Sequence, residues 1–265
     1  MDPTKAYFSF SHLSDVSKHN EYNRWHLLDH RPENLALDGV HYGERWVHSP
    51  RCQALGRVVQ PVLAATEYIT TYWFTAPAEV GIVEWQALAE RSFQWGRRPD
   101  RPYTARPLQG FFSCDQTYVS PYLSLSPVAL KFRPSRSVYV VAANFSQPHS
   151  DNVQELYHWY DATAIPDALR SHRAVSGVCT FSSDSSTLDE GWSPVVGTTT
   201  FDAGAGERGQ IRTSIYFLDE DAEDANFFPP LSGQEFESIL FAGALEPIRP
   251  EHWDWFEGSS QINGE

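Results

Sequence analysis

One short pattern occurs twice in this chain, and no other feature constrains the fold as strongly. The segments YNRWHLLDHRPENLAL, which begins at Tyr22, and LYHWYDATAIPDALRS, which begins at Leu156, align without a gap. They share a tryptophan, a proline, an acidic residue and a leucine at identical spacing: Trp25 and Trp159, Pro32 and Pro166, Glu33 and Asp167, Leu35 and Leu169. Such self-similarity predicts that the two halves of the chain have one fold.

The segments around this pattern also follow one order in both halves. Runs rich in β-branched and aromatic residues come before it, AYFSFSHL and SVYVVAANF, and after it, EYITTYWF and IRTSIYFL. A Gly-Val pair opens a strand between them, at 39–40 and at 177–178. Helical patterns follow, AEVGIVEWQALAER and SGQEFESILFAGAL, and QGFFSCDQTYV supplies a last strand in the first half. The order strand, helix, strand, strand, helix, strand is that of the ferredoxin-like split βαβ unit.

These units predict an α+β protein with two tandem ferredoxin-like repeats, one over residues 1–130 and one over residues 131–265. The join is expected near KFRPSR, residues 131–136, where proline and basic residues interrupt the pattern. A four-stranded sheet with helices on one face leaves its other face bare, and an aromatic-rich bare face needs cover. We therefore expect the two sheets to pack on each other and form an intrachain dimeric α/β-barrel.

The composition narrows the range of partners. Twenty basic and 34 acidic residues give a net charge of −14, which argues against nucleic acid and anionic membranes. No apolar run approaches the length of a membrane span, and the first residues show no secretory signal. The cysteines Cys52, Cys114 and Cys179 are too few and too widely spaced for a disulfide framework or a zinc pattern. We therefore expect a cytoplasmic protein that binds a small molecule.

The first copy of the pattern resembles the EthD-like members of the dimeric α/β-barrel superfamily. Their helix often reads Trp-Tyr-x-x-x-His-x-Pro-Glu, and the next strand opens with Gly-Val or Gly-Phe. The matching residues here are Trp25, His26, His30, Pro32, Glu33, Gly39 and Val40, with His26 at the usual tyrosine position. The second copy has Ala164 where the family histidine would stand. This difference places the expected functional pocket in the first half.

The resemblance implies the fold more strongly than any activity. The superfamily includes monooxygenases, lactone isomerases, polyketide cyclases, dehydratases and haem enzymes, so the fold alone does not select one of them. Because the two repeats lie in one chain, the barrel is expected within the chain, and a homodimer of such chains is compatible with it.

The two histidines of the first copy, His26 and His30, are the main candidates for chemistry. Helical periodicity puts four other residues on one stripe, which we expect to pack on the sheet: Trp25, Leu28, Pro32 and Leu35. That stripe leaves both histidines on the opposite face. Because Pro32 cannot donate a backbone hydrogen bond and restricts Arg31, we expect the helix to end or kink near His30. The last turn would direct His30 into a pocket, where its imidazole could take and return a proton.

Metal binding by these histidines is the alternative. Their i, i+4 spacing would let two imidazoles reach one ion. However, Leu27 occupies the place where the zinc-hydrolase motif has glutamate. Since no third ligand is evident nearby, we expect no metal and assign His26 to substrate binding.

The strand GVHYGERWV adds further candidates. Alternation puts Tyr42 and Trp46 on one face and Arg45 on the other, and the sequence does not say which face lines the barrel. Tyr42 suits a catalytic role and Trp46 a binding role in a cavity wall. Arg45 could clamp an anionic oxygen of the substrate or form a surface ion pair.

The strand EYITTYWF places Tyr68, Tyr72 and Phe74 on one face with Thr70. Tyr72 is a candidate phenolic donor inside the barrel and belongs to the catalytic set, although a hydrogen-bonded core tyrosine is the simpler interpretation. Tyr68 and Phe74 are candidates for substrate binding.

Together these residues predict an enzyme that acts on an apolar or aromatic small molecule by proton transfer, of lyase, isomerase or cyclase type. His30 would be the general acid or base, and Tyr42, Arg45 and Tyr72 would orient the substrate or stabilise an enolate oxygen. This hypothesis needs no cofactor. Two alternatives stay open. One is a monooxygenase that works without cofactor or with reduced flavin, with haem as a further option; the other is a ligand-binding protein without turnover.

Overall fold

Nine strands and seven α-helices form the part of the chain that the computed structural model describes, residues 2–56, 60–188, 194–195, 207–250, 253 and 255–256. The strands are β1 Pro3–Leu13, β2 Val40–Val47, β3 Tyr68–Thr75, β4 Arg101–Val119, β5 Ser137–Phe145, β6 Val175–Leu188, β7 Pro194–Val195, β8 Ile211–Leu218 and β9 Glu237–Pro247. The helices are α1 His19–Trp25, α2 Arg31–Leu35, α3 Pro50–Ala54, α4 Ala78–Gln94, α5 Asp151–Trp159, α6 Ile165–Ser171 and α7 Ala222–Ala225. Turns of π-helix, His26–His30 and Tyr160–Ala164, join α1 to α2 and α5 to α6.

Eight of these strands close into an antiparallel barrel. Their order is β1-β3-β2-β9-β5-β8-β6-β4, and β4 pairs with β1 to complete the ring, while β7 pairs with β4 outside it. Each half contributes four neighbouring strands in the ferredoxin-like order, β4-β1-β3-β2 and β9-β5-β8-β6. The predicted α+β fold, with two ferredoxin-like repeats in one intrachain dimeric α/β-barrel, is therefore confirmed.

The two seams between the halves differ in extent. Strands β4 and β6 pair from Leu108 and Leu188 to Val119 and Gly177. Strands β2 and β9 share only the pairs formed by Trp46 with Pro247 and by Val47 with Glu246. Backbone hydrogen bonds therefore hold the β4–β6 seam along a much longer stretch than the β2–β9 seam.

Aromatic side chains from both halves pack inside the barrel. The ring centroid of Phe8 lies 5.2 Å from that of Phe112 and 5.0 Å from that of Phe181, both edge to face. The Trp73 ring lies 5.1 Å from Phe181. A ligand cavity was expected at this interface of the two sheets, but the interface is filled by a hydrophobic core that both halves share.

Helices cover the outer face of the barrel, and α4 is the longest of those described. Its Trp85 packs on the outer face of β1 and β3, with ring centroids 5.0 Å from Tyr7 and 5.7 Å from Tyr72. Its Gly81 meets Gly39 so closely that a Cβ atom on Gly39 would lie 2.5 Å from the Gly81 Cα. Helix α4 therefore rests directly on the turn that leads into β2.

The second half departs from the first at its second helix. Residues 232–245 were predicted to be helical, but from Glu237 onward they belong to β9, and the four-residue α7 follows β8. Leu240, Phe241 and Ala242 are consecutive and all buried. An unbroken apolar run of this kind does not distinguish a fully buried strand from a buried helix. Within the described residues, the second half has no counterpart of α4.

The helix of each repeat continues through its proline. The backbone of Arg31 is helical, at φ −65° and ψ −48°, and its N–H donates to the carbonyl of His26 in the i to i−5 pattern of a π-helix. The N–H of Ile165 donates to the carbonyl of Tyr160 in the same way. The expectation that the helix ends near His30 is therefore wrong, because a wider turn ahead of each proline accommodates the pyrrolidine ring and the helix continues beyond it.

The division of the chain at residues 130 and 131 remains a proposal. It falls inside a short 3-10 helix, Pro127–Phe132, which lies between β4 and β5. None of the helices among the described residues has the length and apolar character needed to cross a bilayer.

Candidate active site

A cavity of about 320 Å³ lies between the helices and the sheet of the first half, on the outer side of the barrel. Residues of β1, β3 and β4 form its floor, and the α1–α2 helix and α4 form its walls. Its volume is at the lower end of the range of about 300–1,000 Å³ that is typical of small-molecule sites. We call this space the helix-side cavity.

The helix face that looks toward this cavity and the sheet is polar. Four buried residues of α1 and the π-helical turn follow the i, i+3, i+4, i+7 spacing of one face: His19, Tyr22, Asn23 and His26. Leu28 is 58% exposed and Leu35 is also exposed. The expected packed stripe is therefore wrong, and both histidines face inward. Hydrophobicity fails to identify the inner face because that face borders a cavity and a polar network.

The corresponding helix face of the second half is filled. In the alignment of the repeats, Tyr160 corresponds to His26, Ala164 to His30 and Ala168 to Asn34. The Tyr160 hydroxyl donates a hydrogen bond to the Glu237 carboxylate at 2.9 Å. The space left between this helix and β5 and β8 is about 20 Å³. Of these two equivalent positions, only the one in the first half can admit a ligand without rearrangement.

His30 is held between an aromatic ring and an amide. Its imidazole stacks on Trp25, with ring centroids 4.5 Å apart and planes inclined by 16°. The Nδ2 atom of Asn34 lies 3.1 Å from its Nδ1. Burial, followed by the charges of Arg98 and Arg101, lowers the pKa of His30 well below its usual value. Its imidazole is therefore neutral near physiological pH.

His26 is the second imidazole in the cavity wall. Its ring lies edge to face with His30, with centroids 5.2 Å apart. Burial, followed by the charge of Arg45, lowers the pKa of His26 well below its usual value. Among the described residues the His26 ring has no hydrogen-bond partner, so its nitrogens are available to a ligand.

Three arginines, Arg98, Arg101 and Arg106, bring positive charge to the cavity. Arg98 is 8% exposed and Arg101 is 2% exposed, and the Nε of each is buried without a hydrogen-bond partner. Burial and then the charge of Arg106 lower the pKa of Arg98 to about 10 and that of Arg101 to about 9. A paired carboxylate would raise these pKa values. The cluster is therefore suited to an anionic ligand.

These three arginines were not among the residues predicted from the sequence, although the local charge of their segment indicates them. The segment GRRPDRPYTAR, residues 96–106, contains four arginines within a chain whose net charge is −14. The net charge of the whole chain hides this local excess of positive charge. A search for windows whose charge opposes that of the chain would have found it.

Three tyrosines line the cavity, Tyr7, Tyr22 and Tyr72, and Tyr72 lies on the outer side of the barrel and not inside it as predicted. The hydroxyl of Tyr7 donates to Gln109 Oε1 at 3.2 Å. The hydroxyl of Tyr72 is buried and has no hydrogen-bond partner, and burial raises the pKa of Tyr72. Burial also raises the pKa of Tyr22, but Arg45, Arg101 and Arg106 together outweigh this effect, so the pKa of Tyr22 falls below its usual value. Tyr22 is thus the tyrosine that ionises more readily, and Tyr72 is the one that keeps its proton.

Arg45 and Tyr68 lie one layer beneath the cavity. The Nη1 of Arg45 donates to Asn23 Oδ1 at 2.5 Å, and its guanidinium stands 3.8 Å from the ring centre of Tyr68 and 4.4 Å from that of Tyr22. The Tyr68 hydroxyl is 2.6 Å from Nδ1 of His19. Arg45 is therefore not a surface ion pair. It lies outside the cavity lining and lowers the pKa of Tyr22, and its role as a substrate clamp stays a prediction.

The other sequence candidates lie away from the cavity. Tyr42 and Trp46 point into the barrel core, because the face of β2 that carries them is the inner one. Phe74 is on the outer face but packs against Trp85, with ring centroids 5.8 Å apart. The structure thus gathers three of the eight candidates in the cavity wall: His26, His30 and Tyr72.

A second hollow, of about 330 Å³, lies at one end of the barrel. The Lys131 amine there donates to the carbonyl of Val128 at 2.6 Å, and burial raises the pKa of the Cys179 thiol to about 12. Within the described residues, no group of three or more histidine, cysteine, aspartate or glutamate side chains is placed to hold a metal ion. We take the helix-side cavity as the candidate site because it combines charge, imidazoles and unpartnered polar atoms.

Comparison with known proteins bears on the fold. No protein-family model matches this chain, and no curated protein sequence matches it. A heme-binding protein from Thermus thermophilus is 14% identical, with 97% of this chain and 96% of that chain covered and a TM-score of 0.46. An anthrone oxidase-like protein is 9% identical, with 94% and 92% covered and a TM-score of 0.48. A mutant chlorite dismutase from Candidatus Nitrospira defluvii, in complex with cyanide, is 8% identical, with 97% and 95% covered and a TM-score of 0.47.

At these identities the similarity concerns the fold alone, and the EthD-like resemblance stays a prediction. The expectation that the protein uses no cofactor is contradicted, since the structures of similar fold include a heme-binding protein. We therefore do not retain that expectation.

Proposed function

We propose that this protein is an enzyme that binds a small aromatic anion in the helix-side cavity and moves protons on it. The observation that carries this proposal is the cluster of Arg98, Arg101 and Arg106 in a cavity with aromatic walls. His30 and Tyr22 are the groups proposed to donate or accept protons. The reaction would be of lyase, isomerase or cyclase type, at a carbon next to a carbonyl group.

The arginines favour a negatively charged ligand. A buried donor without a partner costs about 1–3 kcal/mol, and more when it is charged. The Nε atoms of Arg98 and Arg101 are two such donors. An anionic oxygen placed between them would satisfy both and would also neutralise the mutual repulsion of the guanidinium groups.

The cavity walls favour a flat, apolar body on that anion. Trp85 packs against Tyr7 and Tyr72 and presents a tilted aromatic surface. Aromatic rings prefer such offset or edge-to-face neighbours, which are worth about 0.5–1.5 kcal/mol beyond the area that they bury. The volume of about 320 Å³ suits a ligand of one or two rings.

Binding of an anion would also activate His30. Burial is the largest cause of the low pKa of His30, and the charges of Arg98, Arg101 and Arg106 lower it further. A bound anion cancels part of that field, so the pKa of His30 rises toward its ordinary value of about 6.5. Proton transfer is most effective when the pKa of the catalytic group lies near the working pH.

Calorimetric titration of the full chain with salicylate and with its neutral amide, salicylamide, tests the proposal. We expect salicylate to bind at least about tenfold more tightly, because a hydrogen bond to a charged group is worth about 1.5–3 kcal/mol. Arg101→Gln should lower the salicylate affinity about tenfold or more, whereas Arg24→Gln, on the exposed surface, should not change it. Equal affinities for the two probes would overturn the proposal.

Haem in the same cavity is a second candidate, favoured by His26. A neutral imidazole is the form that binds iron, and the His26 ring is neutral and without a hydrogen-bond partner among the described residues. Arg98 and Arg101 would hold the haem carboxylates. Haem bound there would supply redox or oxygen chemistry. The cavity volume favours the smaller ligand.

Absorbance titration with haemin separates the two candidates. A saturable Soret band that is lost in His26→Ala and kept in His30→Ala would support haem. The monooxygenase alternative is tested by measuring oxygen consumption with an oxygen electrode. Consumption that depends on added reduced flavin would support a monooxygenase instead of proton-transfer chemistry.

A further inference from the structure

We propose that Asn34 is a positioning residue that keeps the proton of His30 on Nε2, so that the cavity presents hydrogen-bond donors and selects an oxyanion. This inference rests on the proposed function of the helix-side cavity. It specifies both the state of the imidazole and the chemical group that the ligand brings to it.

The hydrogen bonds of Asn34 fix the orientation of its amide. Asn34 is 1% exposed, and its Nδ2 donates to the backbone carbonyl of His30. A carbonyl oxygen only accepts hydrogen bonds, so the amide nitrogen, not the amide oxygen, must lie on this side. The same nitrogen lies 3.1 Å from Nδ1 of His30, to which its second hydrogen can be donated.

This arrangement decides the tautomer of the neutral imidazole. When Nδ1 accepts a hydrogen bond, its lone pair is in use, and the single ring proton must be on Nε2. A proton on Nδ1 would instead face the amide hydrogens of Asn34. His30 therefore offers an N–H group at Nε2.

The second repeat supports a role of Asn34 that concerns the imidazole rather than the helix. Ala164 and Ala168 replace His30 and Asn34 together, at the same spacing of four. Both repeats keep the π-helical turn and the proline that follows it. The turn therefore forms without the amide, and the amide is present where the imidazole is present.

The consequence is a group of donors at one part of the cavity, whose lining also includes the carboxylate of Glu90. The unpartnered hydroxyl of Tyr72 lies on the same wall as His30, with ring centroids 6.3 Å apart. Together with the arginines, these donors can stabilise negative charge on a ligand oxygen, as an oxyanion hole does. The structure therefore assigns to this point a phenolate or enolate oxygen, in addition to any carboxylate held by Arg98 and Arg101.

Nuclear magnetic resonance of the full chain, with ¹⁵N-labelled imidazoles and no ligand, reads the tautomer directly. The His30 signals are those that vanish in His30→Ala. We expect Nε2 to carry the proton in the parent protein and Asn34→Ala to give a mixture of tautomers. Asn34→Asp should move the proton to Nδ1, because a carboxylate accepts from it. Asn20→Ala, at an exposed position of α1, should change nothing.

Two results would overturn the positioning role: a proton on Nδ1 in the parent, or a tautomer that Asn34→Ala leaves unchanged. Misfolding is a small risk, because the second repeat folds with alanine at both positions, and circular dichroism of the variants verifies this.

The oxyanion site is tested by ligand binding. The anion 4-nitrophenolate should bind at least about tenfold more tightly than 4-nitroanisole, and equal affinity would overturn the oxyanion site. Failure of salicylate to bind would contradict the proposed function and leave the tautomer result standing.

Discussion

At the scale of single residues, position rather than residue type determines the chemistry of the two histidines. An exposed imidazole would titrate near a pH of about 6.5. Burial and the nearby arginines keep His26 and His30 neutral instead. The same arginines lower the pKa of Tyr22 against the effect of its burial. Burial is thus the main cause of the neutral imidazoles, and the positive charge of the arginines, Arg45 included, adds to this effect and makes the Tyr22 phenol more acidic.

The first prediction concerns His30. Replacing it with alanine should lower turnover by about 10²-fold or more, which is typical of the loss of a general acid or base. The measurement is turnover of His30→Ala once a substrate has been found among aromatic anions. His158→Ala removes an exposed histidine of α5 and should leave turnover unchanged. Activity of His30→Ala within about twofold of the parent would contradict the assigned role.

Only some of the residues in the cavity wall could be predicted from the sequence. His30 could be proposed because the repeat singles it out, with Ala164 as its counterpart. Arg98 and Arg101 could not be found by reasoning about motifs, because a binding arginine needs no fixed spacing to its neighbours. Alternation placed Tyr72 on one face of β3, but the sequence put that face inside the barrel, because which face meets the helices depends on tertiary packing.

At the scale of elements, the helix of the first repeat shows what periodicity can and cannot predict. Its existence follows from the sequence, but its length does not, because the π-helical turn ahead of Pro32 carries the helix past His30 to Leu35. Its inner face was predicted wrongly, because Leu28 is apolar yet exposed and His26 is polar yet buried. Helical periodicity predicts the inner face of a helix when that face packs against an apolar core, and here the inner face borders a cavity.

The second prediction concerns the packing of α4 against the turn that leads into β2. In Gly39→Ala the new methyl group would lie 2.5 Å from the Cα of Gly81, so α4 must move away from the sheet. We expect a loss of about 1–3 kcal/mol in the free energy of unfolding and weaker ligand binding, since Trp85 of α4 lines the cavity. Urea unfolding and salicylate titration measure the two effects.

A matched control for this prediction lies on the outer side of the same helix. Val83 is 64% exposed, and Val83→Ala should change the free energy of unfolding by no more than about 0.5 kcal/mol. Should Gly39→Ala be as stable as Val83→Ala, the close approach of α4 to the turn before β2 would not matter for stability.

At the scale of the whole molecule, stability should depend on pH through buried histidines. Burial is the main cause of a lowered pKa for six histidines: His12, His19, His26, His30, His41 and His48. As the pH falls below about 6.5, the unfolded chain takes up protons that the native chain does not, so the free energy of unfolding decreases. Burial raises the pKa of Glu67 to about 7, which works in the opposite direction as the pH rises.

The third prediction follows from the balance of these six histidines against the three carboxyl groups whose pKa burial raises: Glu44, Glu67 and Asp115. The urea concentration at half-unfolding should be lower at pH 5 than at pH 7.5. The difference between the two pH values should be smaller in His30→Ala, because one of the proton-excluding groups is gone. A higher midpoint at pH 5 than at pH 7.5 would show that the histidines are not held neutral by the fold.

The duplication itself was the part of the whole molecule that the sequence predicted best. The spacing of tryptophan and proline is identical in both repeats, and it led to the prediction of two equal folds and of the barrel that they form. The identity of residues 237–247 as a strand did not follow, because a strand buried on both faces has no alternation to read. The location of the cavity outside the barrel did not follow either, since it depends on which aromatic residues meet inside.

The fourth prediction tests whether the chain has one ligand site or two. Introducing Ala164→His and Ala168→Asn together restores in the second repeat the pair formed by His30 and Asn34 in the first. We expect no second site, because the space beside that helix is about 20 Å³ and is closed by the hydrogen bond from Tyr160 to Glu237. Calorimetric titration with salicylate should give one site per chain in the parent and in the double variant. A stoichiometry of two in the variant would mean that the imidazole and its amide are sufficient to create a site, and that the cavity and its arginines are not what confines binding to the first half.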